Sequence, residues 1–135
     1  MKHIFKGTAI AITLIVLSPL VAIAASVEDE LRGMANATQK GLPMRVNDEI
    51  QVTSMTASGK AILARYHFMM KSSELRSVEK LKDEYFRNSI NGLCTHPDIA
   101  KLINRGAYWK YEYYDIDNRF VLGFVINQDS CKHFQ

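Results

Sequence analysis

No H-E-x-x-H, no C-x-x-C and no glycine-rich phosphate loop occurs in the 135 residues. Their absence removes the usual sequence signs of a zinc hydrolase, a thiol oxidoreductase and a nucleotide-binding fold. There is no basic block either: lysines and arginines are interspersed with acids, which argues against a nucleic-acid-binding surface. Cysteine is scarce, with two residues, so a framework of several disulfides or a four-cysteine metal site is excluded. No low-complexity segment and no linker divides the chain. No metal, no cofactor and no catalytic set is therefore expected.

The one long hydrophobic run is at the start. Lys2, His3 and Lys6 precede an uncharged stretch over residues 7–20, and Ala22-Ile23-Ala24 offers a small-residue cleavage site. This pattern is that of an export signal. Residues 1–24 are read as a signal peptide and residues 25–135 as a single domain, periplasmic or secreted, with no stable membrane anchor after cleavage. Loss of Lys2 and Lys6 reduces the 17 basic residues to 15 against 14 acids. The pI near 8.9 of the whole chain thus says little about partners.

In an exported chain, Cys94 and Cys131 are expected to bridge. The bond would close a loop of 37 positions, for which chain entropy gives roughly 4 kcal/mol.

Periodicity supplies the elements. Residues 26–40 read as a helix with Val27, Leu31, Met34, Ala35 and Thr38 along one face, Ser26 as N-cap and acids in the first turn. Residues 48–70 read as a hairpin, with Ile50, Val52, Ser54 and Thr56 on one face of its first strand. Ile62, Ala64, Tyr66 and Phe68 share a face of its second. Parity selects an odd loop, Ala57-Ser58-Gly59, setting Val52 beside Ala64 and Ile50 beside Tyr66. Residues 74–93 read as a second helix and 98–104 as a short third, with Thr95 capping and Asp98 at the capping-box position. Residues 107–127 form a second hairpin turning at Asp117-Asn118. Its core face pairs Asp115 with Phe120, Tyr113 with Leu122, Tyr111 with Phe124 and Trp109 with Ile126. The expected fold is α+β: four antiparallel strands from two hairpins, packed on about three helices, closed by one disulfide.

Few residues carry chemistry. His67, His96 and His133 are the histidines outside the signal, and none has metal-ligand spacing. His96 beside Asp98 is the one pair with catalytic potential, but a helix-start turn explains both. Trp109, Tyr111 and Tyr113 alternate onto the core face. Tyr108, Lys110, Glu112 and Tyr114 fall on the opposite face, where tyrosines beside charges mark a protein-binding surface.

Several of these features resemble the quorum-sensing-regulated virulence factors, a family of small exported bacterial proteins. They are the Leu93-Cys94 helix end, the short helix closed by Gly106, the Tyr111-x-Tyr113 strand, the Asp117-Asn118 turn, the final Cys131 and Arg65-Tyr66-His67-Phe68. The resemblance implies an exported domain acting at the host interface and carries over no catalytic residue. The expected function is non-enzymatic protein binding. The alternatives are an inhibitor or immunity protein for a secreted toxin, or a small envelope hydrolase using His96.

Overall fold

A computed structural model describes residues 25–134, and the expected signal segment, residues 1–24, lies outside them. The first helix, α1 (Val27–Gln39), begins where expected. The Ser26 hydroxyl accepts the Asp29 amide at 3.2 Å, and Glu28, Asp29 and Glu30 face the positive end of the helix dipole. Val27, Leu31 and Ala35 recur every four residues and are buried. Full burial of Leu31 alone is worth about 2–3 kcal/mol.

A two-residue strand follows, β1 (Met44–Arg45), and then the hairpin of β2 (Ile50–Ser58) and β3 (Ala61–Phe68). The hairpin turns at Gly59-Lys60, not through an odd loop. Gly59 has φ +58°, which the first position of a tight two-residue turn requires. That register alone would turn Ile50 and Val52 to the wrong face. A bulge at Thr53 restores them, so that Val52 lies opposite Tyr66 and Ile50 opposite Phe68. The bulge also corrects the face of β2. Met55 and Ala57, not Ser54 and Thr56, join Ile50 on the core side of the strand, and Val52 is buried. Beyond the short β1, the Met55 amide is taken up by Gln39 Oε1 of α1 at 2.8 Å.

The second helix starts later than periodicity indicates. Ser72–Glu74 form a separate 3-10 turn, and α2 (Val78–Thr95) begins after it. The cause is Asp115. Its Oδ2 accepts from the Ser72 amide and hydroxyl, fixing that turn, while its Oδ1 accepts from the Asp117 and Arg119 amides. Asp115 is the one buried charged residue among those described, 1% exposed. The next helix, α3 (Pro97–Asn104), has His96 as N-cap and Pro97 at its first position. Thr95 does not cap it; its hydroxyl donates back to the Asn91 carbonyl. Gly106, at φ +102°, ends the helix and leads into the second hairpin, β4 (Tyr108–Tyr114) and β5 (Phe120–Ile126). A fourth helix, α4 (Gln128–Lys132), follows a capping box in which Asn127 and Ser130 satisfy each other's amides.

The sheet has five strands in the order β1-β2-β3-β4-β5, and the two hairpins meet in parallel through β3 and β4. Four strands, all antiparallel, had been expected. The reason lies in residues 69–107, a crossover carrying α2 and α3. It is long enough to bring β4 back alongside β3 in the same direction, whereas a tight turn can only reverse the chain. The expected pairs Trp109–Ile126, Tyr111–Phe124 and Tyr113–Leu122 are present. A second bulge after Tyr113 then puts Tyr114 opposite Phe120, so Asp115 does not pair with Phe120.

The core lies between the helices and one sheet face. α1 packs over β2, α2 packs over β5, and Tyr66, Tyr111 and Tyr113 belong to the layer between. Tyr113 is its centre, with Tyr66, Tyr85, Phe68 and Phe124 at centroid distances of 4.8, 5.1, 5.9 and 5.9 Å. The disulfide joins Cys94 at the end of α2 to Cys131 in α4, with Cα atoms 5.5 Å apart.

Asp115 makes the fold sensitive to acid. Its hydrogen bonds, first from the Ser72 hydroxyl and then from the turn amides, lower its pKa from 3.8 to about 2. A carboxylate depressed in the folded state stabilises above its unfolded pKa, and that contribution is lost as pH falls through the folded one. Urea midpoints measured from pH 5 to pH 2 should therefore fall, mainly between pH 4 and pH 2. The Asp115→Asn variant should start lower at pH 5 and lose less across that window. Parallel curves for the two proteins would remove Asp115 as a cause.

Candidate partner-binding surface

Because the helices pack on one face, no element among the described residues covers the other face of the sheet. Strand alternation puts Tyr108, Lys110, Glu112 and Tyr114 of β4 there together, 40% of Tyr108 being exposed. The neighbouring strands complete the surface. Parallel register sets Arg65 beside Glu112 and His67 beside Tyr114, and antiparallel register sets Val125 beside Lys110 and Gly123 beside Glu112.

The centre of this face is ordered by its own contacts. Arg65 Nε lies 3.2 Å from Glu112 Oε1, and the Tyr114 hydroxyl donates to the same oxygen at 3.1 Å. The Arg65 guanidinium also lies 5.9 Å from the Tyr114 ring centre, and His67 stacks on that ring at 5.6 Å. Burial and the Glu112 carboxylate raise the Tyr114 pKa above that of a free phenol. The His67 ring is itself held. Thr53 gives its hydroxyl proton to the Arg65 carbonyl and lies 2.9 Å from His67 Nδ1, while Asn118 Oδ1 lies 2.6 Å from Nε2. Both bulge and turn thus fix the histidine. Arg65 is half exposed in its pair with Glu112, and the pair contributes at most about 1 kcal/mol to folding. Its larger effect is to hold both side chains in one arrangement.

Around this centre lie exposed apolar groups. Phe120, assigned to the core by simple alternation, is carried outward by the bulge and is 60% exposed. Its ring covers Gly123 and meets Tyr114 edge-on at 5.8 Å. Val125 is 41% exposed. Lys110, Phe120, Gly123 and Val125 line a shallow hollow of about 350 Å³. A sequence signal for the missed Phe120 exists: an aspartate two residues before a turn commonly turns its carboxylate onto the backbone, which breaks the strand phase there.

Further concavities lie on the helix side. A groove of about 700 Å³ runs between α2 and α4, with Phe86, Ile90 and Phe134 as its apolar lining. A hollow of about 270 Å³ lies beside Tyr66, Tyr85, Tyr111 and Tyr113. Burial raises the pKa of all four phenols, and the Tyr85 hydroxyl donates to Glu49 Oε2 at 2.6 Å.

The groups with catalytic potential are not brought together. His96 is exposed at the α2–α3 junction and Asp98 is exposed in the first turn of α3. The Ser130 hydroxyl, beside the groove, donates to Asn127 within the capping box. Among the described residues no group of three His, Cys, Asp or Glu could hold a metal ion, and no helix is long and apolar enough to cross a membrane.

No family model and no curated protein matches the chain. Solved structures do. An assigned secreted protein of Pseudomonas aeruginosa is 21% identical over 80% of this chain and 98% of its own, with a TM-score of 0.62. The type 2 secretion system pilotin EpsS of Vibrio vulnificus is 12% identical over 78% and 91%, with a TM-score of 0.65. The type II secretion system pilotin AspS of Vibrio cholerae is 13% identical over 78% and 92%, with a TM-score of 0.61. At these identities the likeness is one of fold, and the helix-covered five-stranded sheet of this chain is a fold it shares with them.

Proposed function

We propose that this protein is exported by its N-terminal signal, remains in the periplasm or is secreted, and acts without catalysis by binding another protein. The observation that carries this reading is the open sheet face. It presents Tyr108, Phe120 and Val125 around a charged cluster that is already ordered. Tyrosine and arginine anchors of this kind concentrate binding energy, and preordering lowers the entropy lost on association. The fold shared with secretion-system pilotins and with an assigned secreted protein supports a partner in the envelope or its secretion machinery. The resemblance to quorum-sensing-regulated virulence factors supports a role at the host interface.

Crosslinking of the tagged protein in the producing cell's envelope and culture fluid should capture a protein. Titration with that purified partner then tests the face. Tyr114→Ala and Lys110→Ala should each weaken binding about tenfold, roughly 1.4 kcal/mol. Unchanged affinity in both variants would show that the open face is the wrong surface.

A further inference from the structure

The two edges of the sheet are protected very differently. β1 is a two-residue edge, too short to template another strand. β5 is a seven-residue edge, Phe120–Ile126, and no strand among the described residues pairs with its outer side. Natural edge strands are guarded by short length, charges, proline, bulges or a covering element. β5 has no charge and no proline, and its bulge lies near its start. Its amides and carbonyls alternate outward along an uncharged strand, and the bulge at its second residue, Val121, leaves Leu122 to Ile126 in regular register.

A cavity lies at this strand on each side of the sheet. On the helix side, Phe86 and Phe124 form the floor of a hollow of about 330 Å³, with Glu79, Lys82 and Asp83 of α2 around it. On the open side is the hollow of about 350 Å³ at Phe120, Gly123 and Val125. Side chains of an added strand alternate between faces, so successive residues would enter these two spaces in turn.

We infer that β5 is a strand-addition site, where one extended segment of a partner protein joins the sheet as a sixth strand. The segment it fits alternates apolar side chains, one row under α2 and the other over Gly123 and Val125. Main-chain pairing supplies the attraction and the two hollows supply selectivity. The helix above the edge favours a thin occupant over a second copy of this chain. α2 approaches β5 more closely than any other strand, with Phe86 against Phe124 at 5.3 Å. A two-fold copy paired through β5 would bring its own α2 over the same junction. Strands pair about 4.8 Å apart, whereas packed helices need about 8–10 Å. A single extended segment brings no helix. This site shares Phe120, Val125 and the hollow between them with the open face, but main-chain pairing along β5 does not depend on the Arg65 and Tyr114 cluster, so the inference stands whether or not that cluster binds a partner.

The test is selection of a displayed library of linear heptapeptides on the disulfide-intact protein, followed by titration of the synthetic winners by amide NMR. The expected winners alternate apolar residues at every second position and shift the resonances of β5, Phe86 and Phe124. N-methylation of alternate peptide amides separates strand pairing from nonspecific apolar contact. One methylated set should bind about tenfold more weakly or worse, and the complementary set about as well as the parent. Equal binding of the two sets overturns the inference. So do shifts centred on Tyr108, Arg65 and His67, and so does a protein that dimerises through β5 without peptide.

Discussion

Replacing both Cys94 and Cys131 with serine should lower the unfolding free energy by about 4 kcal/mol, the largest loss expected from any change outside the core. The bridge closes a loop of 37 positions. Opening it returns that loop's freedom to the unfolded chain, a cost that chain-entropy theory puts at roughly 4 kcal/mol. For a domain of this size the melting temperature should fall by roughly 15–25 °C. Urea unfolding of the oxidised and double-serine proteins measures the difference directly. The loss should also be local. α4 has five residues and is held to α2 at Cys131, so its amides should exchange fastest in the variant. A difference below about 1 kcal/mol would mean that α4 holds its place without the bond, and that the unfolded chain is already restricted.

Tyr113→Ala should be of similar size, about 3–5 kcal/mol, but it acts through the folded state. Tyr113 is 2% exposed and its ring lies within 6 Å of four other aromatic rings from two strands and a helix. Truncation removes those contacts and leaves a void that neighbours on fixed elements fill only in part. The comparison is Tyr108→Ala on the same strand. It removes the same atoms from the open face, and a change within about 0.5 kcal/mol is expected there. Tyr113→Phe keeps the ring and should retain most of the stability. Equal losses at Tyr108 and Tyr113 would overturn the assignment of the two strand faces. The same pair bears on function, because the open-face tyrosine can be altered without unfolding the protein.

The candidate surface was legible in part. Tyr108, Lys110, Glu112 and Tyr114 alternate along one strand, and period two assigns them a common face whatever the fold. Their partners were not legible as a group. Arg65 and His67 lie between the core-facing residues of another hairpin's strand, and only the parallel register of β3 and β4 brings them to Glu112 and Tyr114. The bulge in β2 left a trace that simple alternation overrode. Ile50 and Val52 keep one phase and Met55 and Ala57 keep the other, a slip of one residue at Thr53. The late start of α2 left none, because it depends on Asp115, 43 residues from Ser72.

The sequence by itself determined the order of helices and hairpins, the buried and wet faces of β3 and most of β4, and the cysteine pair suited to bridge. Those features follow from local periodicity and from caps, which act within a few residues. Tertiary structure decided how the hairpins join, which residues surround Tyr114, that Phe120 turns outward, and that β5 is an edge strand among the described residues. Pairing between distant strands depends on where a 39-residue crossover returns the chain, and that is fixed by packing both helices over one sheet face.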